Sequence, residues 1–476
     1  MAPFPIVVDL GFGDAGKGGM VAALVERQNA SAVIRYTGGP HAAHHLVSAD
    51  GTSHAFCQFG ASFRPGLRTH LARSVIVKPE NLLYEARLLQ NKGLPHPLRG
   101  VTIDPSCRVV TSYHAMLCQM KETQRGARHH GTVGIGAGEA AYDSERDPNG
   151  ALRVADLYRP QTLAAKLAGH IAEKCRQAQT LLDECTGRGM RADLMDTYQA
   201  FTSQVHLEDL LECYGVFCQA LPAACCPDEE RFDQLRRLPG GVVFEGAHGA
   251  LLDYTYGYYP YVVKNDTTIQ PALRILTEAG AAQQAEALGV VRALGYRHGP
   301  GPFVTEDPAL AGGLFPELHN HANEWQGALR YGWFDLLAIA HGLSLNPQVQ
   351  ALALTMTDHL RRLERFQVCC AYEYRGSQHE LLDRYFRWQR QPDGGIRIGA
   401  IKKTPTGRSP ELAGLLADCV PAEWLYFEGG QACPDRPGEL PAGAWDFIDF
   451  LESDAGLGLP VRYLSLGPTL ADKVEL

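Results

Sequence analysis

Ile6-Val7-Val8-Asp9-Leu10-Gly11-Phe12-Gly13-Asp14-Ala15-Gly16-Lys17-Gly18 stands near the start of the chain, and the rest is read outward from it. Ile6 to Leu10 has the length and β-branched content of a strand, and it ends at a glycine. Lys17 to Arg27 then carries the small and apolar residues of a helix. A strand, a glycine-rich turn and a helix in direct succession open an α/β sheet. The turn matches G-x-x-x-x-G-K, with Gly18 where a phosphate-binding loop has Ser or Thr. Its glycines let backbone N–H groups converge on a phosphate at a helix N-terminus, and Lys17 adds a positive charge. With the hydroxyl missing, another group has to hold Mg²⁺, and Asp14 inside the loop is the natural candidate. The competing reading is an ordinary tight βα turn, which does not require a buried Asp-x-x-Lys.

Ala32 to Tyr36 reads as a second strand, ending in the Thr37-Gly38-Gly39-Pro40 turn. Similar short apolar strands precede glycine-rich turns at Gly241 to Glu245, Ala351 to Thr355 and Val461 to Leu464. Helical stretches lie between them at Glu80 to Gln90, Leu163 to Leu182 and the amphipathic Trp333 to His341. This alternation predicts an α/β fold with a large, mainly parallel central sheet flanked by helices. The expected organisation is one domain over 1–476, with a helical subdomain at about 90–240 and surface excursions at about 365–445. Within the latter, Gln378 to Thr404 and Phe427 to Ala442 are rich in Gly, Pro, Arg and Gln.

The 476 residues are 45% hydrophobic and 20% charged, enough for a substantial core, which excludes wholesale disorder. Lys and Arg number 44 against 53 Asp and Glu, a formal charge of −9, and no basic run reaches five residues. That excludes a general nucleic-acid binder but leaves room for nucleotides. The start lacks a cationic leader and no 18-residue apolar stretch occurs, so a cytoplasmic protein without membrane contact is expected. Thirteen cysteines, with adjacent pairs at Cys225-Cys226 and Cys369-Cys370 but no CxxC, suit buried thiols in a reducing compartment. The 50 glycines cluster in short motifs, as in an enzyme with several backbone-lined ligand sites.

Gly38-Gly39-Pro40-His41-Ala42-Ala43-His44-His45 places three histidines in five residues directly after a strand. They could supply a general acid or a metal site, or form a polar surface loop, and spacing alone does not decide. Phe244-Glu245-Gly246-Ala247-His248-Gly249-Ala250-Leu251-Leu252-Asp253 precedes an aromatic run from Tyr254 to Tyr261. A glycine-bracketed loop beside an aromatic platform suits a planar ligand, while a Tyr-rich core or subunit interface explains it equally well.

Together with Arg64-Pro65-Gly66, Val77-Lys78-Pro79-Glu80, Gly289-Val290-Val291, Gly299 to Glu306, Gly332-Trp333-Phe334-Asp335 and Ser465-Leu466-Gly467-Pro468, these motifs occur in the order and approximate spacing of adenylosuccinate synthetases. The resemblance covers nearly the whole chain. That family phosphorylates the 6-oxo group of IMP with GTP, then lets the aspartate amine displace the phosphate. The resemblance implies that Asp14 is the base on the purine ring and that His44 is the acid on the 6-oxygen. It also implies Mg²⁺ at Asp14 and Ala43, and GTP at Gly13, Ala15, Gly16, Lys17, Gly18, His45, Asp358, Ser465 and Gly467. Lys17 then serves the phosphates, and Asp358 accepts from the two adjacent guanine donors.

The departures fall on the acceptor. The family's 5′-phosphate pocket uses an Asn, two threonines and an arginine from a second subunit; these positions hold His41, Val133, Val263 and about Asn149 here. The Gln that contacts the base becomes His248, and the amine-donor loop keeps the single Arg330 between Trp325 and Gly332. His41 or Lys264 could compensate for the lost phosphate contacts. Ala15 and Met356 replace a Glu and a Lys of lesser weight. The expectation is a homodimeric, GTP- and Mg²⁺-dependent C–N ligase, a divergent paralogue joining a purine-like acceptor to aspartate or another amine. The alternatives are the housekeeping IMP enzyme and a GTP-binding regulatory protein without turnover. A P-loop GTPase switch is weaker still.

Overall fold

The opening strand, Phe4–Asp9 (β1), is buried along its whole length, and its alternate residues feed opposite layers. Ile6 and Val8 enter one hydrophobic core and Val7 enters the other. A strand covered on both faces belongs inside a parallel sheet, which explains its unbroken apolar run. The computed structural model describes residues 3–186, 192–311, 325–404, 407–430 and 440–476.

Eight more strands complete the central sheet: β2 (Ala32–Arg35), β3 (Arg68–Leu71), β4 (Val101–Ile103), β5 (Val242–Glu245), β6 (Ala285–Arg292), β7 (Val349–Thr355), β8 (Val461–Ser465) and β9 (Lys473–Glu475). Their spatial order is β9-β8-β7-β6-β1-β5-β2-β3-β4. All pairings are parallel except that of β8 with β9. β1 therefore sits at the switch point, with early strands on one side and late strands on the other. In such sheets ligands bind at the carboxyl ends of the strands near that reversal. The loops after β1, β2 and β5, three neighbouring strands, are the three glycine-rich motifs.

The helical subdomain is inserted between β4 and β5, its helices running from Ser112–Arg125 to Asp228–Leu235. Among the described residues no helix is long and apolar enough to cross a membrane. Two expectations need correction. The helix expected from Trp333 to His341 spans Leu336–Leu345; Phe334–Asp335 is a short strand, and the Asp335 carboxylate caps the helix by accepting from Ala338 N–H at 3.0 Å. Gln378 to Thr404 is not a loose excursion. Phe386–Arg390 and Ile396–Ile401 pair antiparallel in a second sheet with Arg365–Tyr374 and Cys419–Glu428. Tyr372, Tyr385, Phe386 and Ile398 form its core, while the outward positions carry the Arg and Gln that gave the segment its loop-like composition. Residues 431–439 of the second expected excursion lie outside the described residues.

Candidate active site

The glycine-rich loop turns into α1 (Lys17–Arg27) through Gly13, Asp14 and Gly16, all with positive φ, and Gly16 is an N-cap without a side-chain hydrogen bond. The first N–H groups of the helix are therefore left for a ligand. Gly18 is a steric necessity, since a Cβ there would lie 2.7 Å from the Cβ of His44. That contact explains why the loop lacks the usual hydroxyl. Of the Asp-x-x-Lys pair expected to be buried, only Lys17 is. Asp14 is exposed, whereas Lys17 is buried and donates to Asp9 Oδ2 at 2.8 Å. Asp9 Oδ1 also accepts from Gly11 N–H at 2.8 Å. Asp9 thus fastens both ends of the loop, a role sequence reasoning missed; its signal is a lone carboxylate in an otherwise apolar strand.

The loop after β2 separates its three histidines. His44 and His45 begin a short strand, His44–Val47, and face opposite sides of it, with His44 buried and His45 half-buried. His44 Nδ1 hydrogen-bonds the Glu245 carboxylate at the end of β5, whose other oxygen accepts from Ala61 N–H at 3.0 Å. Arg35 stands 3.9 Å from the same carboxylate. Burial pushes His44 down to about 4, against the pull of Glu245, so its imidazole is neutral at pH 7 with Nε2 left for a substrate. Burial would raise Glu245, but Arg35 and His44 hold it below the usual carboxylate range. Glu245 is a second residue whose part the motif alone did not reveal.

His41 turns away from His44 and meets His248, Nε2 to Nε2 at 3.2 Å. His248 has φ +61, a conformation that costs a non-glycine residue energy and persists only when its surroundings impose it. Here Gly249 imposes it: a Cβ at 249 would lie 2.2 Å from the Gly11 carbonyl, so the loops after β1 and β5 touch backbone to backbone. Burial lowers His41 to about 4 and His248 well below its ordinary value, so the pair is neutral. The Nδ1 atoms of both rings are buried without a hydrogen-bond partner.

Beside this pair begins α2 (Ala137–Arg146), whose N-cap, Gly136, has no side-chain hydrogen bond. A Cβ on Gly39 would approach both the His41 ring, at 3.2 Å, and Ala137 Cβ, at 3.7 Å. Lys264 reaches the same helix from the other side. Its Nζ lies 4.8 Å from the centre of the Tyr142 ring, and its stem approaches Gly138. Val133 and Val263 are half-buried and bring no polar side-chain atom, while Asn149 is exposed. Arg330 is not a free cation: it pairs with Glu306 through both carboxylate oxygens and donates to the Gly301 and Gly299 carbonyls at 2.8 and 3.2 Å. The hairpin of Gly295–His298 with Leu329–Gly332 consumes its charge.

On the opposite flank of α1, half-buried Asp358 follows Met356, which has φ +57. Burial raises the Asp358 carboxyl. Thr357 Oγ1 donates to the Ser465 carbonyl at 2.9 Å, and Ser465 Oγ to the Gly467 carbonyl at 3.2 Å, so the two segments form one wall. Lys473 Nζ donates to the Gly467 and Thr469 carbonyls at 2.5 and 3.0 Å. Burial brings Lys473 down to about 8, with Asp472 and Asp358 pulling the other way. The structure thus brings Gly13 to Gly18, His44, His41 and His248 together, with Asp358, Ser465 and Gly467 on one side and Lys264 on the other. Arg330 and Asn149 are committed elsewhere or exposed.

A Mg²⁺ ion fits this donor set by chemistry: the Asp14 carboxylate makes no ion pair among the described residues, and the Ala43 carbonyl offers a second hard oxygen. A different cluster, His114, Asp143 and His170, is already neutralised by Lys174, 2.5 Å from Asp143.

Residues 6–389 match the family model described as adenylosuccinate synthetase. The chain is 33% identical over 477 residues to the adenylosuccinate synthetase of Pseudomonas fluorescens, covering 99% of this chain and 98% of that protein. It is 28% identical over 487 residues to that of Alkalilimnicola ehrlichii, covering 100% and 98%. Among solved structures it resembles fully ligated adenylosuccinate synthetase from Plasmodium falciparum, with a TM-score of 0.77 at 19% identity and full coverage of both chains. It also resembles the cyanophage S-2L succinoaminodeoxyadenylate synthetase bound to dGMP and dATP as an energy donor, with a TM-score of 0.52 at 16% identity, covering 100% and 95%.

Proposed function

Since the chain belongs to the adenylosuccinate synthetase family, whose members are GTP-dependent ligases forming carbon–nitrogen bonds, we propose that it activates an oxo group of a purine-like acceptor other than ordinary IMP and couples it to an amine such as aspartate. The observation that carries the altered acceptor is the neutral His41–His248 pair, together with the valines at 133 and 263, at positions where the resemblance implies polar phosphate and base contacts. A phosphate dianion facing two isopropyl groups forfeits about 1–3 kcal/mol for each missing donor.

The activation chemistry follows from groups this chain retains. Asp14, exposed at the loop tip, takes the proton from the acceptor's ring nitrogen, which turns the oxo group into a nucleophile. His44, held through Nδ1 by Glu245, directs Nε2 at that oxygen and, once protonated, donates to it. Backbone N–H groups at the start of α1 and the Lys17 charge face the phosphates of the donor. Mg²⁺ at Asp14 and Ala43 would neutralise charge on those phosphates. The transferred phosphoryl group then leaves as phosphate when the amine forms its bond to carbon. Asp358 and the Ser465–Gly467 wall take the guanine, the carboxylate accepting from its two adjacent N–H donors. If the acceptor is phosphorylated, Lys264 and the uncapped N-terminus of α2 are the groups that receive the phosphate.

The test is a substrate panel of IMP, dGMP, inosine and free bases with GTP and aspartate, followed by phosphate release, with ATP replacing GTP in parallel. The cyanophage protein was captured with dGMP and dATP, which recommends both arms. Turnover with an acceptor other than IMP is expected. Efficient adenylosuccinate formation from IMP alone would sink the altered-acceptor reading, and no turnover with intact GTP binding would favour a regulatory protein.

A further inference from the structure

Arg292 ends β6 at the carboxyl edge of the sheet, one strand away from the glycine-rich loop. It is 91% buried by its relative exposure of 9%, and its Nε and Nη1 have no hydrogen-bond partner. The guanidinium lies 3.5 Å from the centre of the Tyr296 ring. A ring face compensates a buried cation only in part, because desolvating a charge costs more than a cation–π contact returns. Arg292 also lines a small, partly open pocket of about 40 Å³ together with Gly11, Gly13, Phe303, Asp9 and Asp335.

The two carboxylates do not neutralise Arg292. Asp9 is committed to Lys17 and the Gly11 N–H, and Asp335 to the Ala338 N–H and the Tyr372 hydroxyl. A buried, forked cation with unsatisfied N–H groups beside this pocket is the donor half of an oxyanion site. We propose that this pocket is a subsite for a small oxyanion, phosphate or carboxylate, with Arg292 as its cation. The proposal rests on the ligase reading for the source of the anion, a phosphate of the nucleotide or a carboxylate of the amine donor. The second source has a particular attraction, since Glu306 already holds Arg330.

Calorimetric titration of the full chain, in separate arms, with inorganic phosphate, with succinate and with GTP tests this without turnover. One or both anions are expected to bind, and Arg292→Leu to weaken that binding about tenfold or more, with Arg292→Lys intermediate. Binding of phosphate alone assigns the subsite to the nucleotide, and binding of succinate alone to the amine donor. Failure of both anions to bind the wild-type chain overturns the proposal, as does unchanged anion binding in Arg292→Leu. If Arg292→Leu does not fold, Arg292→Lys and Arg292→Gln decide on the same criterion. Loss of the GTP arm in the wild-type chain would strike the ligase reading, whereas the anion arms still judge the subsite.

Discussion

The two flanks of α1 are built on different principles. On the donor side, glycines, backbone amides and carboxylates are locked into one frame: Asp9 grips Lys17 and Gly11, Glu245 grips His44, and Thr357 ties Asp358 to the Ser465 wall. On the acceptor side, side chains on neighbouring loops form the surface, and they are neutral imidazoles, two valines and one loosely held lysine. A frame made of backbone and buried ion pairs tolerates little change without unfolding. A surface made of loop side chains can be exchanged residue by residue. On the proposed function, that difference lets the phosphate chemistry persist while the acceptor changes.

Breaking the donor frame gives the largest effect. His44→Asn removes the imidazole that the proposed mechanism sets against the oxo group, and a loss of about 10³-fold in kcat is expected by phosphate-release assay. Glu245→Gln leaves the ring but not its orienting charge; kcat falls by a smaller factor with the KM for GTP unchanged, the pattern of a positioning residue. Retained activity in His44→Asn would remove the chemical core of the comparison. Asp9→Asn leaves Lys17 buried beside a neutral amide, and a destabilisation of about 3 kcal/mol is expected in denaturant unfolding. Adding Lys17→Met should restore part of that stability, because no buried charge then remains. If Asp9→Asn is neutral, the donor frame is softer than its geometry implies.

The donor side was also the more legible in sequence, for a physical reason. Glycines needed for positive φ, a strand ending at Gly11 and a helix starting at Lys17 leave a local pattern, so the loop and the parallel sheet can be read from neighbours in the chain. Asp9 with Lys17 and His44 with Glu245 are fixed by tertiary approach, the second across 201 positions. No local pattern predicts which carboxylate a buried cation meets. The same holds for His41 with His248, 207 positions apart, and for Arg330, whose capture by Glu306 required the hairpin. The second sheet was hidden because its solvent-facing positions carry the composition of a loop.

Sharpening the acceptor side takes gentler changes. Lys264→Ala removes from the start of α2 a cation that makes no ion pair among the described residues. With a phosphorylated acceptor, its KM should rise about tenfold while the KM for GTP stays constant. An unphosphorylated acceptor should be indifferent to the change, so the ratio of the two effects reports whether a phosphate occupies this corner.

The smallest effect concerns the histidine pair in the absence of substrate. His41 titrates at about 4 in the folded chain against an ordinary 6.5, and His248 lies lower than 6.5 as well. Between these values the unfolded chain binds protons that the folded chain refuses, so stability falls as pH drops from 6.5 towards 4 and is fully present above 6.5. His44 and His341, each also held to about 4 by burial, share in the same loss. The double variant His41→Asn with His248→Gln, which carries the residue types of the family at these positions, removes two of the seven described histidines that burial lowers. Its melting temperature should therefore decline less steeply than that of the wild-type chain over this window. An identical slope would mean that the pair is already solvated or protonated in solution, and the acceptor side would then be a charged pocket after all. Because a doubly protonated pair would repel itself across 3.2 Å, that outcome would require an anion bound between the rings.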